Sequence, residues 1–532
     1  MEGWYRPWRL VSDTTLETPQ ALGPEGQDSP GAGGGARSDR PFVLRHVWWF
    51  VAVGIVVISE LLLRWADTRP GYDPYGWLIW GYQTVHGSLN LGGAPSWKPF
   101  SYIPNVVFAL FGRHALPLWM LTSVSVSLAG AVFGGRIAYR LTAREDAPWW
   151  PPVVAAIVAG ACVLGIQDGP LSLPGSMSYF HYVLSAQSDS MLVTFCLAAI
   201  DMFLIRRLAW AWWLGVYAGL GRPEVWPFLV LYGLWILWRK RDMRWMVFAG
   251  ALVTAFFWFG VPTITNGKPD IAGQLALKSP RECTSDKVVC TLDRYRDLLY
   301  LPIELIALVG VGLALLRRNR TVIALAAMVC LWVLTEVAFV LHGFPGVQRY
   351  LFEAAGLTGV LAGVGTGWLL LDARRWHPSI PRWVPSWVGI PVAAVFVVLC
   401  LPHARSLADR EHRDIVAQRD RTWRIAQLGD FITALGGPSR IEACGGALLN
   451  VEYVSAAGWF LDKNTGQVAY QPNKVLKRTN PVIYFILLPN GWMAEPLRPQ
   501  NAKVSGCSTE SGLYVPTAHH PKGIYIPKAI TS

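Results

Sequence analysis

Charge is what this 532-residue chain has least of. Asp, Glu, Lys and Arg make up 15% of it, where soluble globular proteins carry about 25%. With 52% hydrophobic residues and a mean hydropathy of +0.32, that scarcity excludes an ordinary soluble domain and points to a membrane protein. Nucleotide motifs are missing as well. No P-loop, GxGxxG, HExxH or GxSxG stands in a usable context, so a familiar fold binding a soluble nucleotide-sugar is excluded, and an activated donor carried in the membrane fits better. No repeat at solenoid periods is visible. The eight Cys include no CxxC pair, which argues against zinc. Cys162, Cys196, Cys330 and Cys400 lie in apolar runs and read as small hydrophobes.

The net charge of +12 is no nucleic-acid signal. Its cations sit in short clusters between apolar runs (206–207, 239–244, 317–320, 374–375), as the positive-inside rule produces. The 27 Trp suit interfacial belts. Apolar runs at 46–64, 117–140, 150–166, 187–205, 208–221, 224–238, 244–262, 300–316, 321–342, 354–371 and 386–402 predict about eleven spanning helices, with 208–221 and 224–238 short for a full crossing. If each crosses, the Arg-rich loops share the cytoplasmic side. Residues 1–43 are then a disordered cytoplasmic tail, with no cleavable signal peptide visible ahead of the run near His46. Residues 44–402 form the membrane domain, 65–116 its first extracytoplasmic loop, and 403–532 an extracytoplasmic C-terminal domain. Within the last, 404–435 reads as an amphipathic helix and Val482 to Leu488 as a strand. The expected fold is a polytopic α-helical membrane protein with a small C-terminal α/β domain. Cys283 with Cys290, and Cys444 with Cys507, share outer segments and read as two disulfides.

Acids near the outer ends of spans are the informative residues. Asp73 follows the first span in GYDPYG and reads either as an Asp-Pro turn or as a site carboxylate, with Tyr72, Tyr75, Trp77 and Trp80 as an aromatic wall. Asp67, between Arg64 and Arg69, reads as half of a local ion pair. Asp189 opens a later span, where helix capping is the alternative role; Asp73, Asp168 and Asp189 share one compartment. Arg222 and Glu224 sit between two short apolar runs and either pair with each other or hold a lipid phosphate. Arg349 suits bidentate phosphate binding or snorkels to headgroups. Lys98, His86 and Trp97 complete the first-loop set, while His181 and His342 carry little weight.

The segments GYDPYG (71–76), PSWKPFSYIPN (95–105), QSDSM (187–191), GLGRPEVWPF (219–228) and PGVQRYLFEAAG (345–356), in that order and on one side, make 45–402 resemble the GT-C integral-membrane glycosyltransferases, most of all their actinobacterial branch. The resemblance implies inverting sugar transfer, of mannose or arabinose type, from a polyprenyl-phosphate donor to a cell-envelope glycan, lipid or protein acceptor at the outer membrane face. It implies Asp73 as base or metal ligand and Asp189 as second acid. Arg222, Arg349 and Lys98 would face the donor phosphate, and the C-terminal domain the acceptor. Asp73 is followed by Pro, where some branches carry a second acid, which leaves a divalent metal (Mg or Mn) open. The rival readings are a transporter or lipid flippase, for which Glu60 and Glu336, mid-to-late in their spans, speak, and a non-catalytic cell-wall scaffold.

Overall fold

The computed structural model describes residues 47–93, 97–145, 147–168, 177–277, 283, 286–371, 387–472, 482–489, 491–497, 512–515 and 524–527. The expected 1–43 tail lies outside them. Helix α1 (Val47–Ala66) enters the segment expected as a loop, which is largely helical instead: α2 (Tyr72–Val85) and α3 (Pro99–Ala109). Pro99 begins α3, where a missing N–H costs nothing. Helices α4 (Ala115–Thr142) and α5 (Trp150–Leu164) follow. A two-residue ribbon, β1 (Gln167–Asp168) with β2 (Met177–Ser178), leads through α6 (Tyr179–Leu184) into α7 (Ser188–Leu204). Next come α8 (Leu208–Gly219), α9 (Trp226–Arg239) and α10 (Arg244–Ala255), which continues through a π-helical turn into α11 (Val261–Asn266). Helices α12 (Ile271–Ala276), α13 (Lys287–Arg296), α14 (Leu301–Leu316), α15 (Arg320–Leu341), α16 (Phe352–Leu369) and α17 (Gly389–Ala434) complete the bundle.

The apolar runs read from the sequence are all helical. Five helices are long and apolar enough to cross a bilayer, or six if the 94° pair α13–α14 counts as one span. The others are shorter: α8 has 12 residues and α9 has 14, about 18–21 Å against a hydrocarbon core of about 30 Å. Chain direction defines two ends of the bundle. The starts of α7 and α16 and the α8–α9 turn lie at one end, with α2 and α3. The Arg-rich turns at 206–207, 239–244 and 317–320 lie at the other.

Helix α16 is the centre, buried along all 18 residues. Its glycines explain how. A Cβ on Gly359 would lie 2.7 Å from Cys162 Cβ of α5, and one on Gly365 would overlap the Ile306 carbonyl of α14. Small residues let backbones approach where lipid tails supply no hydrophobic drive. The same glycines and threonines dilute its hydropathy.

The boundary expected at 402/403 falls inside one helix: α17 runs 46 residues, continuing past Pro402 into its charged half. Beyond it lie α18 (Gly437–Ala443), β3 (Ala447–Leu448), α19 (Val454–Phe460), and the strands β4 (Val482–Leu488), β5 (Gly491–Leu497), β6 (Gly512–Val515) and β7 (Ile524–Pro527). They form one sheet in the order β3-β4-β5-β6-β7, parallel between β3 and β4 and antiparallel elsewhere. Cys283 and Cys290 are bonded, as expected. Cys444 is also in a disulfide, while Cys507 lies outside the described residues.

The outer half of α17 is stitched to the bundle. Arg419 Nε donates to Ala66 O at 2.7 Å, and the Arg69 amide donates to Thr422 Oγ1 at 2.9 Å. His181 Nδ1 meets Asp414 Oδ1 at 2.9 Å. Glu411 lies nine residues past Pro402, about 13 Å along the helix, and burial, reinforced by Asp414, pushes its carboxyl from an ordinary 4.5 up to about 7. The folded chain therefore keeps this proton to higher pH than the unfolded chain. Stability from this group is fully present below pH 4.5 and is lost as pH rises through about 7. Glu411→Gln is expected to raise the thermal midpoint at pH 8 and to leave it unchanged at pH 4.5; equal shifts at both would refute the linkage.

Candidate active site

Four backbone junctions bring the candidate residues together. The 68–71 segment lies on the turn before α7: Thr68 Oγ1 donates to Leu184 O at 2.9 Å, and the Gly71 amide to Ser185 O at 2.8 Å. Gly71 lets the two segments lie close, since a Cβ there would push aside the end of the Gln187 side chain. Asp73, two residues on, is thus fixed relative to Asp189, two residues past Gln187. Lys98 caps α3, whose Phe100 amide donates to Leu220 O at 3.2 Å, tying α3 to the turn that carries Arg222. The indoles of Trp226 and Trp258 both donate to Gly219 O, at 3.0 and 2.9 Å, and hold that turn. Arg349 stands in a short 3-10 turn, anchored by Trp332 Nε1 donating to Tyr350 O at 2.9 Å.

At the centre is Asp189, fully buried in the first turn of α7, where the helix dipole favours an anion. Its Oδ1 is in direct contact with the Arg222 guanidinium. Lys98 Nζ lies 3.7 Å and Arg349 Nε 4.0 Å from the same oxygen. Lys98 also donates to Ser188 Oγ at 2.9 Å. Glu224 flanks Arg222 at 3.7 Å, and Asp73 Oδ2 lies 4.0 Å from Arg349 Nη2. The Arg222 guanidinium lies over the Tyr350 ring at 3.9 Å, a cation–π geometry. Burial lowers the Lys98 ammonium below the usual lysine range, with Asp189 opposing the shift. Asp189 Oδ2 and Arg222 Nε make no hydrogen bond to the described residues. Buried polar atoms in that condition are rare outside sites that meet a polar ligand. Exposure grades across the cluster: the Asp189 side chain is 0% exposed, whereas Asp73 and Arg349 are 20% and 19% exposed and form its rim.

The other expected residues divide. Trp77 is buried beneath Lys98, whose Nζ lies 5.7 Å from its ring centre. Trp97 is a buried pin, edge-on to Trp80 at 5.5 Å and donating to Phe257 O at 2.9 Å. Tyr75 faces the outer layer, with Phe460 at 6.5 Å, and Tyr72 turns toward Ser455. The expected aromatic wall is thus split between the two faces of α2. His86 is not brought to the cluster: it caps the far end of α2, is exposed, and stacks on Tyr82 at 4.1 Å. The alternative reading of Asp73 as a turn residue is also corrected, since it lies in the first turn of α2.

Sequence reading missed Tyr350, Tyr182 and Glu353. Tyr182 stands 5.8 Å from the Arg349 guanidinium, and Glu353 is within electrostatic reach of Arg222. Glu353 carried a usable signal, an acid leading directly into an apolar run; the tyrosines carried none beyond adjacency. Glu336 is buried in α15 and approaches Glu224. The donor set does not suit a divalent metal. Among the described residues no three His, Cys, Asp or Glu groups converge on one point, and Arg349 lies within 4.0 Å of both Asp73 and Asp189, placing a positive charge where a cation would need oxygen ligands.

No family model matches the chain, and no curated protein matches it. Among solved structures it is similar to the crystal structure of ArnT from Cupriavidus metallidurans bound to undecaprenyl phosphate, at 16% identity and a TM-score of 0.46, over 86% of this chain and 100% of that chain. At that level no residue role transfers from one to the other.

Proposed function

We propose that this chain is a membrane glycosyltransferase that moves a sugar from a polyprenyl-phosphate donor to a cell-envelope acceptor at the extracytoplasmic face. One observation carries the reading: Lys98, Arg222 and Arg349 converge on the single buried carboxylate of Asp189, with Asp73 at the rim beside Arg349. Guanidinium and ammonium groups drawn together in this way recognise phosphate, and a carboxylate beside them at the rim can take a proton. In the proposed step the acceptor hydroxyl oxygen bonds to the anomeric carbon as the carbon–oxygen bond to phosphate breaks. The proton passes to Asp73, and the electron pair leaves on the phosphate oxygen. The phosphodiester becomes a monoester and gains negative charge, which fixed cations stabilise most in the transition state. Asp189 acts as the counter-ion that holds the three cations rather than as a second base. One displacement with one base inverts the anomeric centre. The sugar is mannose- or arabinose-like under this reading.

The test is transfer of radiolabelled sugar from a polyprenyl-phosphate donor by the purified full-length chain. Labelled glycan product supports the enzyme; donor movement across vesicles without product favours a flippase instead. Because the cations occupy the place a metal would take, the rate is expected to be unchanged after EDTA. A loss restored by Mg or Mn would overturn the metal-free reading.

A further inference from the structure

The basic end of the bundle carries a feature that sugar transfer does not use. The α7–α8 and α9–α10 turns lie side by side and border an open, shallow cleft of about 460 Å³, lined by Arg206, Arg207, Trp210, Lys240, Asp242 and Met243. In these two turns six cations (Arg206, Arg207, Arg239, Lys240, Arg241 and Arg244) face one acid, Asp242. The positive-inside rule accounts for the sign of this charge but not for a cleft between helices. The helices that carry these turns pack on one another: Trp212, Val216, Ile236 and Met246 form a small core of their own, and the Trp212 indole donates to Met246 O at 2.9 Å. Trp210, which lines the cleft, is 62% exposed, and Trp238 and Trp245, next to the α9–α10 turn in sequence, are 73% and 62% exposed, as indoles are at the depth of lipid headgroups.

We infer that this cleft binds the headgroup of an anionic phospholipid, its phosphates meeting Arg206, Arg207 and Lys240 and its acyl chains lying along the apolar flanks of α8 and α9. Charge selects the occupant: a cationic pocket between helices at the headgroup level favours a phosphodiester anion over a zwitterionic lipid. The inference does not depend on the glycosyltransferase reading, because the cleft lies at the opposite end of α7, α8 and α9 from Asp189 and Arg222.

Native mass spectrometry of the full-length chain in detergent, with cardiolipin or phosphatidylcholine added, tests it. Cardiolipin is expected to bind at about tenfold lower concentration, and the R206Q/R207Q/K240Q variant is expected to lose that preference. R318Q/R320Q is the matched control: Arg318 occupies the same left-handed turn position as Arg206 (φ 53° and 62°) but does not line this cleft. Wild type without preference, or equal loss in the control, would overturn the site. Displacement of cardiolipin by an equal concentration of glycerophosphoglycerol would show a soluble-phosphate site and overturn the lipid assignment. If the triple variant loses its thermal transition, R206Q and K240Q singly give the same readout, each with a partial loss.

Discussion

Asp73→Asn is expected to lower sugar transfer by about 10²–10⁴-fold, the usual worth of a positioned general base, with little change in thermal midpoint. Asparagine keeps the size and the helix-terminal position of aspartate but cannot accept the acceptor's proton at neutral pH. Asp73 is partly exposed and its only ion-pair neighbour among the described residues, Arg349, stands 4.0 Å away, so little folding energy is tied to its charge. Donor binding should persist, because Lys98, Arg222 and Arg349 are untouched. Radiolabel transfer and equilibrium donor binding on the same preparation check both halves. Full activity in Asp73→Asn would end the assignment of Asp73 as base.

Asp189→Asn should behave in the opposite way. Its oxygen is the shared partner of three buried or half-buried cations. Removing one partner of such a network leaves charge uncompensated, at a cost of about 3–5 kcal/mol. The expected result is a marked fall in thermal midpoint and in yield of folded protein, with activity lost as a consequence of cations that no longer hold their positions. If Asp189→Asn instead keeps the wild-type midpoint and loses only turnover, then Asp189 is a reacting group and the counter-ion role fails. The two variants together separate the carboxylate that takes the proton from the one that organises the charge.

The helices were legible because apolar runs bounded by arginine turns have few other solutions, and the acid-rich span entrances were legible because charge at that depth is scarce. Asp73, Lys98, Asp189, Arg222 and Arg349 could be singled out one by one on that ground. Their mutual distances could not, since these depend on Gly71 fitting against Gln187 and on α3 pairing with Leu220, contacts between segments far apart in the chain. Tyr72, Tyr75 and His86 were misplaced for a related reason. The 65–116 segment was read as a loop, so its aromatic residues were taken as one wall, whereas helix α2 deals them to different faces at 3.6 residues per turn. Among the short strand-like runs of the outer segment only Val482 to Leu488 stood out clearly in advance, because strands such as Ala447–Leu448 leave no periodicity to read.

The brevity of α8 and α9 sets a solubility threshold. With the arginine turns at the cytoplasmic headgroup layer, as the proposed function has it, helices of 12 and 14 residues bring Arg222 only about two-thirds of the way through the hydrocarbon. In that placement the buried Lys98 and Arg222 wait at a depth that water-soluble anions reach only at a steep desolvation cost. A phosphate towed by a long hydrocarbon arrives there by partition alone. Substrate choice then begins before any contact is made, in the ratio of a molecule's affinities for oil and for water, and the side chains of the site need only discriminate among what the bilayer has already admitted.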